Sequence, residues 1–369
     1  RTRSLTTTTR RWSGIVEGDI VPEGTFYDGL DDFAGPGGWD EGARMVGLKT
    51  IGVEWDESAC QTAVANGHAR IHADVASHSH EGLNVGGLYI ASPPCTMFTT
   101  MGHGAGRATA TRLGAGVAAI LGGDDPEAVI AAATEALIPA HRAAQGSAPN
   151  HSLSHSDLDV AAEIDAATSA LILQPARRIA QLKPDFVALE QVPGAAVVWG
   201  AYAHVLRAMG WSATYGILNA ADYGVPQSRR RAILVASRHG AARLPAPTHA
   251  EHADDLFGGL APWVSMRDAL GWGLDRPIPT IVPGGRSTGN FAVQREVARL
   301  ARAADRPTVT TPTSELGALQ SFPPDYVWVG TADEKQRQVG NAVPPLLAAH
   351  VLAALLGRPA PTVRHVKEM

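Results

Sequence analysis

The chain has 369 residues, 45% hydrophobic and 18% charged, which excludes global disorder and predicts two or three compact units. Its formal net charge of −5, taken alone, argues against a protein that coats nucleic acid by bulk charge. Two cysteines, Cys60 and Cys95, are too few for a disulfide scaffold or a four-sulfur zinc site, so any role they have is as thiols in a reducing compartment. Residues 1–24 are basic, rich in Thr and without an apolar run; they read as a disordered tail, not a signal peptide. No run approaches the ~18 apolar residues of a membrane span. A cytoplasmic protein with no membrane partner is expected.

Short apolar runs at 27–33, 50–54, 88–92, 186–190 and 231–237 alternate with helix-period segments, the pattern of a parallel α/β sheet. Asp125, Pro126 and Glu127 supply a cap, an N1 proline and a first-turn acid, predicting a helix to at least Leu137. A second helical segment runs from Ser156 to Leu182 with a break or kink at Pro175. The residues between them, GSAPNHSLSHS, have linker composition. A last apolar helix is expected from Val343 to Leu356.

Charge is uneven along the chain. Residues 107–165 carry three arginines against eight acids, whereas 227–306 carry twelve arginines against seven acids. Of the 31 basic residues 27 are arginine, whose planar fork suits phosphates and guanine edges, although Ala-rich coding bias also favours Arg over Lys.

Three places along the chain carry chemistry. The run Asp32-Phe33-Ala34-Gly35-Pro36-Gly37-Gly38-Trp39 follows the first strand, and glycines there let backbone approach a ligand at a helix N-terminus. A dinucleotide fingerprint needs Gly at position 40, which is Asp40, so the NAD reading fails on spacing. About twenty residues on, Glu54 can accept ribose hydroxyls, Trp55 can stack on a base, and Asp74 can accept from an adenine amino group. An adenosine ligand without a pyrophosphate fits these groups; a tight glycine turn followed by a solvated acid is the plainer alternative. In the second place, Ser92-Pro93-Pro94-Cys95 presents a thiol rigidly at the carboxyl end of the fourth strand, where open α/β sheets bind ligands. Cys60, in ESACQTAVAN, reads instead as a buried apolar helix residue. Thirdly, His68, His72, His78 and His80 invite a metal reading, but no cysteine or carboxylate framework accompanies them, so no metal is expected.

The ordered set FAGPGGWDEG, GVEWDES, ADV, SPPCTMFTTMG, LEQVPG, DYGVPQSRRRAILVA, LQSFPPDY and QVGNAVPPL resembles the DNA cytosine-5 methyltransferases from about Phe33 to Pro345. The resemblance implies a Rossmann-like S-adenosylmethionine-dependent fold: a twisted, mostly parallel sheet and a smaller, irregular target-recognition lobe. It divides the chain into a catalytic domain at 25–238 with an insertion at about 103–163, a recognition region at 239–306, and a segment at 307–369 returning to the catalytic domain. Cys95 would attack C6 of a flipped cytosine, Glu190 would act at N3, and Arg229 and Arg231 match the family's two arginines, Arg231 holding O2 near the thiol. S-adenosylmethionine would be held by Phe33, Gly35, Gly37, Gly38, Glu54, Trp55, Asp74 and Pro94, with Asn341 closing the site. Double-stranded DNA is the implied partner, in a nucleoid setting, with a cognate restriction endonuclease as a further partner and the enzyme as a monomer.

The chain departs from the family pattern at Thr96 (usually Gln), Gln191 (usually Asn) and Arg230 (usually an acid); the first two lie beside active residues and put the rate in question. The run MGHGAGRATATRLGAG can be a mobile loop over DNA, and the helical part of the insertion reads as surface. Arg267, Arg276, Arg286 and Arg295 are candidate phosphate or guanine contacts. Cytosine-5 methylation of tRNA, or a non-catalytic DNA-binding relative, are the alternatives.

Overall fold

The structure, a computed structural model, describes residues 25–94, 105–146, 155–252, 259–283, 291–305 and 312–361. Cys95, Thr96, Arg286, the 1–24 segment and most of the expected linker lie outside them.

In chain order the first half comprises β1 (Tyr27–Asp32), α1 (Gly38–Met45), β2 (Thr50–Glu54), α2 (Glu57–Ala65), β3 (Ala69–His72), β4 (Val85–Ala91), α3 (Ala105–Gly122), α4 (Pro126–Gly146), α5 (His155–Ala170) and α6 (Gln174–Leu182). Then follow β5 (Phe186–Gln191), α7 (Ala196–Ala208), β6 (Ser212–Asn219), β7 (Gln227–Ser228) and β8 (Arg230–Ser237). The main sheet has the order β3-β2-β1-β4-β5-β8-β6. Its first five strands pair in parallel, while β8 runs antiparallel to both β5 and β6. The apolar runs are continuous rather than alternating because helices cover both faces. On one face Leu113, Val117, Leu173, Trp199 and Tyr202 pack over Val187 and Leu189. On the other, Trp39 of α1 and the last helix pack over Ile90, Ile233 and Val235.

Three expectations change in detail. The strand β6 was not legible: it is the sheet edge, its Tyr215 and Ile217 are exposed, and it lacks a clean apolar period. Residues 105–116 of the Gly-rich run are helix rather than loop. Their glycines permit close packing, since a Cβ on Gly114 would lie 3.0 Å from Ala201 and one on Gly116 3.1 Å from Leu173. This helix, with Leu113 and Val117 fully buried, belongs to the main core and not to the surface. The break near Pro175 is a 3-10 turn at Leu171–Leu173, and Pro175 opens α6, where its missing N–H costs nothing. The Tyr202 hydroxyl bridges that break, donating to Ile172 O at 2.7 Å and accepting from Ala176 N at 3.0 Å.

The remaining chain adds short strands β9 (His249–Ala250), β10 (Ala261–Pro262) and β11 (Ile278–Pro279), and helices α8 (Met266–Leu270), α9 (Phe291–Ala303), α10 (Thr313–Leu319), α11 (Ala332–Asn341) and α12 (Pro345–Leu356). A separate core joins Met266, Trp272, Leu274, Ile281 and Val297 to Leu316, Phe322, Tyr326, Trp328 and Val339. The 312–342 stretch therefore packs with the 259–305 region, its residues 326–338 also bond to the glycine turn and α2, and α12 packs on the sheet. Residues Ala332–Leu356 are the one described helical stretch apolar enough to test as a membrane span, and 83% of that window is buried inside the protein.

One core group predicts acid lability. His350 of α12 is 2% exposed against Tyr223, and burial, then His249, pushes its pKa down to about 4. The unfolded chain takes up a proton near pH 6.5 that the folded chain refuses, so stability is complete above that value and falls as the pH drops. The loss from this residue between pH 7 and pH 5 is about 2 kcal/mol. Urea denaturation at both pH values checks it: His350→Phe is expected to remove that share of the pH dependence.

Candidate active site at the carboxyl edge of the sheet

β1 delivers the glycine turn. Phe33 has φ 62°, the left-handed region that a bulky side chain rarely adopts, and such strain persists where surroundings hold it. Ala34 N donates to Val53 O at 3.1 Å, fastening the turn to β2. At Gly35, φ 56°, a Cβ would meet nothing within 4 Å, so this backbone faces open space. Gly37 and Gly38 serve packing: a Cβ on Gly37 would lie 2.7 Å from the Tyr326 hydroxyl, and one on Gly38 2.2 Å from Val343 O. Tyr326 also donates to Pro36 O at 2.6 Å, so the FPPDY segment closes down on the turn.

The acid at the end of β2 holds its neighbourhood together. Glu54 accepts from Gly35 N at 2.9 Å, Trp55 N at 3.0 Å and Asp56 N at 2.9 Å. Burial raises its pKa, opposed by the Asp56 and Gly35 backbone donors. Trp55 is 77% exposed, an open aromatic face beside that carboxylate, and the Asp74 side chain is also exposed. The groups fit S-adenosylmethionine: an open backbone cradle, a ribose-type acceptor, a free stacking face and an acid for an amino group.

Beneath the turn lies a buried charge network. Arg70 of β3 crosses Gly52, where a Cβ would collide with its guanidinium, and pairs with Asp40 at 2.7 Å while donating to Gly35 O at 3.1 Å. Burial acts against ionisation of Asp40, but Arg70, then His68, outweigh it and hold its carboxyl below the usual range. Asp31 is fully buried, and neither of its oxygens has a hydrogen-bond partner among the described residues. Burial pushes its pKa well up, Asp40 adding and Arg70 opposing.

The proline turn sits beside this cradle. Trp39 Nε1 donates to Ser92 Oγ at 2.9 Å, and Ser92 N donates to Asp32 O at 3.2 Å. Gln191 Nε2 donates to Pro93 O at 2.5 Å, tying the end of β5 to the turn that leads into Cys95. Pro94 is exposed and Pro93 buried. Next to Gln191, Glu190 is 7% exposed and paired with Arg231 Nε of β8 at 2.9 Å. Burial lowers the Arg231 pKa, and Glu190 opposes that shift.

The two arginines of QSRRR separate sharply. Arg231 reaches Glu190, whereas Arg229 is 1% exposed and donates to Ile281 O at 2.9 Å, Gly340 O at 2.8 Å and Ala342 O at 3.0 Å. It thereby fixes the backbone on both sides of Asn341, whose side chain is exposed at the end of α11. The geometry of Arg229 is that of a tie between strand, recognition region and C-terminal segment. Arg230 is exposed.

Cys60 is 3% exposed in α2, its Sγ 3.4 Å from Glu54 O. The four histidines have protein partners or neighbours instead of converging: His68 Nε2 is 3.3 Å from Glu41, His72 Nε2 is 3.0 Å from Trp55 O, and His78 O and His80 Nδ1 face Arg178. Among the described residues no group of three metal-ligating side chains converges.

A profile of C-5 cytosine-specific DNA methylases matches residues 27–138 and 134–256, which include the glycine turn, the proline turn, Glu190 and the arginine strand. The chain belongs to that family. It is 29% identical over 181 residues to the Type II methyltransferase M1.HphI of Haemophilus parahaemolyticus (40% of this chain, 49% of that one). It is 25% identical over 249 residues to M.SacI of Streptomyces achromogenes (51% and 64%). The chain thus spans about half to two thirds of these curated relatives. Among solved structures, S. pombe Dnmt2 superposes with a TM-score of 0.53 at 14% identity, covering 90% of this chain and 98% of that one. Entamoeba histolytica methyltransferase EhMeth gives 0.52 at 13% identity, covering 90% and 98%. At such identity these two show the fold alone.

The ties made by Arg70, Arg178, Tyr326 and the amide of Gln191 around this candidate site were missed. Their partners lie far away in sequence, so spacing carries no sign of them. The one local signal is the pair of acids Asp31-Asp32 closing an otherwise apolar strand, which demands buried partners.

Proposed function

We propose that this methylase is a DNA (cytosine-5-)-methyltransferase using S-adenosylmethionine. The observation that carries the reading is the Glu190–Arg231 pair, joined through adjacent Gln191 to the Pro93 turn that precedes Cys95. The donor would lie against Phe33, Gly35, Glu54, Trp55 and Asp74, on the Trp39–Ser92 side of that turn, and when bound it supplies the methyl group. Asn341 would close the site from the C-terminal segment.

The chain's own residues then divide the work. The Cys95 thiolate forms a bond to C6 of the cytosine, the electron pair moving toward C5 and the ring carbonyl. Glu190 holds N3 so that the developing charge is neutralised, and Arg231 orients Glu190 and offers its remaining donors to O2. After C5 has gained the methyl group, with the S–CH3 bond pair left on the donor's sulfur as a neutral thioether, loss of the C5 proton to solvent water re-forms the C5–C6 double bond and drives the thiolate out. The target base must leave the duplex to reach this edge.

Substrate contact falls to the arginine-rich region. Arg267 and Arg276 are half-exposed around one shallow concavity with Arg299, already held by Asp275 and Glu296, and Arg295 is exposed nearby. Restrained guanidinium groups of this kind suit phosphate contacts. Labelled methyl transfer to duplex DNA and to tRNA in one assay tests the reading. Incorporation into cytosine C5 of duplex DNA, located by bisulfite sequencing, is expected; transfer to tRNA alone, or to neither, overturns it. A Type II restriction partner and a monomeric state follow the same reading and are checked by neighbouring-gene cleavage activity and light scattering.

A further inference from the structure

One buried guanidinium holds two walls of the donor site together. Arg178 of α6 is 0% exposed, and its Nε donates to Asp32 Oδ2 at 2.9 Å. Asp32 immediately precedes Phe33 and also accepts from the Tyr89 hydroxyl at 3.1 Å. The other end of the fork grips the segment after β3: Nη2 donates to Val75 O at 3.3 Å and to His78 O at 3.0 Å, and Nη1 faces His80 Nδ1 at 3.1 Å. Arg177 adds a second donor to Val75 O.

Residues 73–84 contain neither helix nor strand, and Asp74, Ser77, Ser79 and Glu81 are exposed. The loop's internal bonds, Ser77 N and His78 N to Asp74 O and Ala76 N to Asp74 Oδ1, shape the turn without anchoring it to the sheet. Its ends join the sheet through Ala73 N to Glu54 O at 2.9 Å and Tyr27 N to Asn84 O at 3.0 Å, Val75 is buried in the main core, and the arginine pair adds the side-chain grip on Val75 O and His78 O. A buried ion pair is weak as a source of stability, because desolvation of both partners offsets their attraction. Its geometric consequence is large: a planar fork with fixed donors sets the distance between what it holds.

We propose that Arg178 is a positioning residue for the methyl donor, setting the separation between the Phe33 turn and the Asp74 loop. The inference rests on the donor lying between these two elements, as in the function proposed above. It assigns to α6 control over donor affinity.

The test compares wild type with Arg178→Met, the paired change Asp32→Leu with Arg178→Met, and His80→Ala. The paired change removes both charges together, so no buried ion is left alone and the fold is retained even if the single variant unfolds. His80→Ala removes a single half-buried partner. Steady-state methyl transfer and equilibrium binding of labelled S-adenosylmethionine are read for each, with a thermal melt. Expected are a rise of tenfold or more in KM and Kd for S-adenosylmethionine in the paired variant, and a smaller rise in the same direction for His80→Ala. Maximal rate at saturating donor and KM for DNA should stay within threefold. Donor affinity within twofold of wild type in the folded variants overturns the proposal, as does an equal rise in KM for DNA, which marks a general loss of structure. Failure of the wild type itself to bind S-adenosylmethionine would refute the donor-site reading instead.

Discussion

Cys95→Ser is expected to lower methyl transfer by at least ~10³-fold and to abolish a covalent adduct with 5-fluorocytosine duplex DNA, while donor binding is unchanged. C5 of cytosine is a poor nucleophile until a soft, strongly nucleophilic atom adds at C6. A serine hydroxyl is overwhelmingly protonated near neutrality and cannot replace the thiolate. The scaffold that delivers residue 95 explains why binding should survive. Ser92 and Pro93 are held by Trp39, Asp32 and Gln191, all of which the substitution leaves unchanged. Glu190→Gln should retain adduct formation at a much reduced rate, lowering turnover by roughly 10²–10⁴-fold, because a positioned proton donor or acceptor is lost. Gel-shifted adduct on fluorinated duplex and single-turnover rates measure both. Full activity in Cys95→Ser would exclude the mechanism.

Arg229→Met is expected to destabilise the protein by roughly 3–5 kcal/mol, as when one partner of a buried polar network is removed. Three carbonyl oxygens, of Ile281, Gly340 and Ala342, would lose their donor inside the protein. Burial already pushes the Arg229 pKa well down, Arg231 adding and Glu190 opposing, and no carboxylate is among its hydrogen-bond partners. The site therefore tolerates the charge only because the fork meets those oxygens. Arg229→Lys should recover little, since an ammonium is a point donor that cannot span three acceptors. Urea denaturation of both variants is the measurement, and a loss below about 1 kcal/mol for Arg229→Met would rule out the tie.

Arg231→Met makes an instructive contrast. Arg231 is 12% exposed in its side chain and spends Nε on Glu190, so its loss should fall mainly on turnover. Two arginines two positions apart, Arg229 just before β8 and Arg231 within it, thus separate into a fold-holding group and one paired with Glu190. Their order in QSRRR carries no trace of that division.

Much of the sheet was readable from residue chemistry. Continuous apolar runs marked five of the seven strands in the main sheet, because strands covered on both faces need no polar side. Asp125 caps its helix as expected, accepting from Ala128 N at 3.2 Å, and the apolar C-terminal helix forms at Pro345–Leu356. The net charge of −5 conceals an acidic α4–α5 region and an arginine-rich region of opposite sign. What local sequence could not decide was partnership. Asp32 meets Arg178 across 146 residues, Arg229 meets Ile281 across 52, and Tyr326 meets Pro36 across 290. The turn glycines, the two prolines and the acid at each strand end were dictated by backbone sterics and by chemistry confined to a few neighbouring residues. Which buried charge is neutralised by which, and so which arginine builds the site and which one faces it, depends on chain segments that only the closed sheet brings within 3 Å.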